Sequence, residues 1–165
     1  MRLPILPALV STIALVNARV VQQRTVSSNH GTITSPSTGT LVSNVGGDAI
    51  PFAYSDSNWC HNGYSTTTAW LLDYEPTTAN IDAATGLPSN PIYQFGTYLI
   101  PNFGLPPLSG SNPPPPSTLT TPALAPAYAS GRSLYLAVIE TATACPPGVN
   151  IPPQYGVTSV KLVVA

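Results

Sequence analysis

Apolar residues recur at every second position in several short stretches of the chain, and proline, glycine and hydroxyl residues separate those stretches. A period of two belongs to strands, whose successive side chains point to opposite faces. Ile50, Phe52 and Tyr54 alternate on one side of residues 49–54, and Thr66, Thr68, Trp70 and Leu72 do so in residues 65–72. Both read as half-buried strands, with Trp70 in the core. Residues 133–141 are apolar on both sides: Leu134, Leu136 and Val138 face one way and Tyr135, Ala137 and Ile139 the other. That pattern predicts a central strand. Residues 157–164 put Thr158, Val160, Leu162 and Val164 on one face and are expected to pair beside it, and residues 92–99 are a further strand candidate. Residues 31–34 and 40–42, split by Ser35-Pro36-Ser37-Thr38-Gly39, read as an opening strand that breaks and resumes.

The 20 prolines and 12 glycines in 165 residues argue against a helical protein, because each interior proline costs a helix about 3 kcal/mol. Residues 101–126 hold many of these prolines, including the run Pro113-Pro114-Pro115-Pro116. They predict an extended polyproline-II connection, rigid and suited to O-glycosylation at Ser117, Thr118, Thr120 and Thr121. About seven short strands, a tryptophan in the third and one cysteine pair predict an all-β immunoglobulin- or fibronectin-like sandwich with a long Pro-rich loop.

Residues 1–18 have the form of a secretory signal peptide: Arg2, an apolar stretch from Leu3 to Val16, and the small-residue triplet Val16-Asn17-Ala18. Residues 19–29 read as a flexible arm or short propeptide, leaving 30–165 as one domain. In an oxidising compartment Cys60 and Cys145 are expected to pair. With residues 49–54, 65–72, 133–141 and 157–164 as strands B, C, F and G, that bridge clips the BC loop to the FG loop at one end of the sandwich.

The segments His30-Gly31-Thr32-Ile33-Thr34-Ser35-Pro36, Ile50-Pro51-Phe52-Ala53-Tyr54-Ser55 and Leu134-Tyr135-Leu136-Ala137-Val138-Ile139-Glu140 resemble those of small secreted fungal proteins of unknown function. The Ile-Thr-Ser-Pro opening is also similar to the immunoglobulin-like N-terminal domain of fungal cell-wall β-glucan assembly proteins. The resemblance implies a secreted β-sandwich and supplies no activity.

Charge narrows the partners. Five basic and six acidic residues leave a formal net charge of −1, so no long-range field gathers nucleic acid or anionic lipid. Neither nucleic-acid binding nor a membrane span is expected. Familiar enzyme motifs are missing from the sequence. Asp73 and Glu75, and Glu140 at the end of the central strand, read as solvated strand-end charges in preference to a catalytic carboxylate pair. His30 and His61 are a candidate copper pair, as in sandwiches related to copper monooxygenases, but a brace would need a free amino group on His30. Trp59, Asn62 and Tyr64 put aromatic faces and an amide in a loop next to Cys60, which suits contact with a sugar. The expectation is a secreted, non-enzymatic protein of the extracellular space or cell wall that binds polysaccharide without a cofactor.

Overall fold

The structure is a computed structural model that describes residues 24–60, 63–108, 113–143, 145 and 152–165. The expected leader lies outside them, as do His61 and Asn62. No α-helix is present among the described residues, and a single 3-10 turn spans Thr78–Asn80. The strands are β1 (Thr25–Val26), β2 (Thr32–Ser35), β3 (Thr40–Val42), β4 (Ala49–Pro51), β5 (Ala53–Ser55), β6 (Tyr64–Leu72), β7 (Tyr93–Pro101), β8 (Thr118–Thr120), β9 (Ser133–Ala142) and β10 (Gln154–Val164).

The main sheet runs β10-β9-β6-β7 with antiparallel neighbours, and both β1 and β3 add to β10 in parallel. Two antiparallel ribbons, β2 with β5 and β4 with β8, lie over one face of it. The opening strand does break and resume, and it changes sheets as it does so: β2 pairs with β5, while β3 runs beside β10. Pro36 lacks an amide donor, which ends the first ladder there.

The alternation in β9 explains the core. Leu134, Leu136 and Val138 meet Ala69 and Leu71 of β6, Leu162 and Val164 of β10, and Ile50, Phe52 and Leu119 of the ribbons in one buried cluster. Ala137 and Ile139 face the other way and form a second cluster with Trp70, Leu72, Ile81 and Tyr155. The central strand is thus apolar on both faces, as its sequence predicts.

Three local expectations are corrected. In β6 the main core takes the odd positions, Ser65, Thr67, Ala69 and Leu71, all at most 2% exposed, while Thr66 and Thr68 remain half-buried. The hydroxyls of Ser65 and Thr67 mask an interior face. The Pro-rich segment is more than a connection: Thr118–Thr120 is β8, and Leu119 is buried in the core. Residues 24–29, expected as part of a flexible arm, are tied down, because Thr25 N–H donates to Pro153 O at 2.9 Å and Ser27 N–H to Tyr155 O at 2.8 Å. The free edge of β10 supplies those acceptors.

Candidate functional site

The expected bridge is formed. Cys60, in the loop between β5 and β6, is bonded to Cys145, in the loop between β9 and β10, across a sequence separation of 85. Both cysteines are buried with Ala142, the last residue of β9. The disulfide therefore closes the end of the main core and holds two loops together there.

One step further in, Glu140 shares the inward face of β9 with Leu136 and Val138, and it is only 4% exposed. This corrects the reading of Glu140 as a solvated charge. A buried carboxylate is tolerated only when donors replace its lost water, and here they come from three segments. Gly31 N–H and the Tyr54 hydroxyl donate to Oε2 at 2.9 and 2.7 Å, and the Ser57 hydroxyl donates to Oε1 at 3.2 Å. Thus the entry to β2, strand β5 and the cysteine loop are fastened to β9 through one side chain. Burial, reinforced by the Glu140 charge, raises the Tyr54 hydroxyl far above the ordinary tyrosine range and keeps it a donor. Asp56 is also raised, by burial first and by Glu140 second, and its Oδ2 has no hydrogen-bond partner among the described residues.

Across the sheet Glu140 stands opposite Thr67 of β6 and Gly156 of β10. Gly156 is required by a close approach, because a Cβ there would lie 2.3 Å from the Cβ of His30. His30 is packed over that glycine, and its Nδ1 lies 2.9 Å from Gly31 O. Among the described residues no three potential metal-ligating side chains come together. His61, the other half of the candidate copper pair, lies outside those residues.

The outer surface of this end is aromatic. Trp59, next to the disulfide, is 39% exposed, and Phe103, which follows the end of β7, is 58% exposed. The two loops are joined directly, with Phe103 N–H donating to Asn58 Oδ1 at 3.0 Å and the Tyr64 hydroxyl to Pro106 O at 3.0 Å. Asn58 and Phe103 both hold positive φ angles, 49° and 55°. That region costs a bulky side chain on the order of 1 kcal/mol, and the surrounding hydrogen bonds hold Phe103 in it with its ring outward. Sequence reading found Trp59 and Tyr64 here but missed Phe103 and the fastener of Tyr54, Ser57 and Glu140. The Asn102-Phe103-Gly104 run after a strand was the available turn signal for Phe103. Asp73 and Glu75 are exposed, and Asp73 forms a surface ion pair with Arg132 at 3.5 Å.

Comparison with protein-family models, curated proteins and solved structures found no match. No helix among the described residues is long and apolar enough to cross a membrane.

Proposed function

We propose that the chain is a secreted, immunoglobulin-like β-sandwich that binds neutral polysaccharide through its disulfide-closed end, without catalysis and without a cofactor. The pairing order supports the immunoglobulin-like reading: an opening strand shared between two layers, a main sheet of β3-β10-β9-β6-β7, and β4 with β5 lying between β8 and β2. The signal-like leader and the disulfide support an extracellular setting, since such bridges persist in oxidising compartments. The resemblance to small secreted fungal proteins supports a cell-wall or extracellular location.

The observation that carries the binding reading is the pair of outward rings, Trp59 and Phe103, on two loops fixed to each other. Rigid aromatic faces stack on the apolar side of a sugar ring at little entropic cost, and neighbouring amides meet its hydroxyls. Retention of the full chain on insoluble chitin, β-glucan and cellulose tests this. Retention on at least one, weakened in Trp59→Ala and in Phe103→Ala, is the expected result; no retention on any of the three, or retention that neither substitution weakens, overturns it.

A further inference from the structure

Strand β7 is an edge of the main sheet, and its ladder with β6 slips by one residue between Ala69 and Trp70. Ala69 pairs with Gly96 and Trp70 with Gln94, so Phe95 is the extra residue of a bulge. A bulge at a sheet edge re-aims side chains. Here it brings Tyr93 opposite Leu71, whose side chain belongs to the core face, and so turns Tyr93 toward the mouth between the layers. Tyr93 and Phe95 then meet edge to face with ring centroids 5.3 Å apart, and Tyr93 remains 43% exposed. Gly96 completes the arrangement, because a Cβ there would lie 2.6 Å from the Tyr98 hydroxyl. Tyr98 folds across that glycine, within 3.4 Å of Phe95 O.

Facing these rings across the mouth are Thr118 and Thr120 of β8, and together they enclose a groove of about 220 Å³ with Pro116 as one wall. On the other side of Pro116 a second groove of about 300 Å³ runs between Ile100 and Tyr54, with Ser117 on its rim. Among the described residues no charged side chain lines either groove. The two lie in line along β7, which continues into the Phe103 loop. Aromatic faces on one wall and hydroxyls that both donate and accept on the other, without charge, match a ligand that alternates C–H faces with hydroxyls.

We infer that this groove along β7 is a second binding site, for a neutral oligosaccharide chain, separate from the loop end. Its occupant has the same chemistry as in the proposed function, but the site stands on different residues and can fail independently. An extended proline-rich peptide is the competing occupant, since such peptides also seat on tyrosine-lined grooves.

The test is amide NMR of the full chain titrated with soluble hexasaccharides of β-linked glucose and of N-acetylglucosamine, with a proline-rich decapeptide as control. Progressive amide shifts at residues 52–54, 93–100 and 117–120 are expected with a hexasaccharide, their apparent affinity reduced at least tenfold in Tyr93→Ala and unchanged in Trp59→Ala, while shifts at the loop end, where they occur, are lost in Trp59→Ala. Tyr93 is exposed, so the variant should keep the parent's thermal midpoint. A Gly96→Ala variant, which displaces Tyr98, should weaken the same shifts. Shifts with the decapeptide alone, or none at these residues with any hexasaccharide, overturn the proposal, whereas loss of polysaccharide retention in Trp59→Ala reports only on the loop end.

Discussion

The Tyr54 hydroxyl reaches Glu140 Oε2 at 2.7 Å, and this bond ties a half-buried residue of a ribbon strand to a buried carboxylate of the central strand. Glu140 also receives Gly31 N–H and the Ser57 hydroxyl, so the loop that carries Trp59 is positioned by a carboxylate and a disulfide together. The candidate binding surface is therefore fastened from beneath by a buried carboxylate and a disulfide.

Loss of the tyrosine donor should be felt as lost stability. Tyr54→Phe removes a hydrogen bond to a charged acceptor and should cost about 1.5–3 kcal/mol. Glu140→Ala strands the donors of Gly31 and Tyr54 and should cost about 3 kcal/mol or more. Urea unfolding checks both. A Tyr54→Phe variant as stable as the parent would show that the bond is made with no net gain.

Asp56 gives the pH dependence of this end. Its folded-state pKa is raised by burial and then by Glu140, so folding favours its neutral form. That contribution is full below the unfolded value and is lost as pH rises through the raised folded value. Asp56→Asn keeps the side chain neutral throughout. Its thermal midpoint should match the parent at about pH 3 and exceed it by a margin that grows toward about pH 7. A margin that shrinks with rising pH would show that the carboxylate form is the stabilised one.

Much of this architecture was readable beforehand. The two-faced apolar pattern of residues 133–141 identified the central strand, and the cysteine pair fell into neighbouring loops as expected. What was hidden has a common cause: the deciding partners lie far away in sequence. Ser65 and Thr67 look like a solvent face, yet both are buried, and the side-chain partner of Ser65 is Asn102, 37 residues away. Glu140 looks like a strand-end charge because its donors lie 109, 86 and 83 residues away. The bulge at Phe95 is a mismatch between two strands, and no single strand records it. β8 sits among prolines that read as a loop, and only Leu119 between two threonines hinted at its alternation.

Gly156 offers a sharper probe of the same end. Any Cβ at this position would collide with His30, and the obstacle is a Cβ atom on the next segment, which no rotamer change can move. Gly156→Ala should push His30 and Gly31 away from β10 and stretch the Gly31 bond to Glu140. A cost of about 1–3 kcal/mol is expected, as for overpacking elsewhere. Faster hydrogen exchange at the Gly31 amide would locate the damage; an unchanged exchange rate there would contradict this account.

The disulfide should matter more to the loops than to the sheet. Replacing Cys60 and Cys145 together by Ala should remove about 2–5 kcal/mol and raise hydrogen exchange in residues 56–60 before it does so in β9. Polysaccharide retention through Trp59 should weaken in the same variant while the groove along β7 keeps its ligand. Equal loosening of loop and core strands would mean that the bridge acts on the whole fold.

The start of the mature chain separates a binding module from a copper protein. A brace at His30 would need its free amino group, and so the loss of every residue through Asn29. Yet Arg24 N–H donates to Ala83 O at 2.9 Å, and Thr25 and Val26 pair in parallel with Gln154 and Tyr155. Trimming to His30 discards these bonds, each contributing about 1 kcal/mol, and uncovers the edge of β10. The mature protein should therefore begin upstream of His30, and a shortened form starting at His30 should be less stable by about 2–3 kcal/mol. Intact-mass measurement of the mature protein and urea unfolding of the shortened form check the two statements. A natural chain that begins at His30 and holds one copper ion, released in His61→Ala, would replace the binding reading of this end with a metal site.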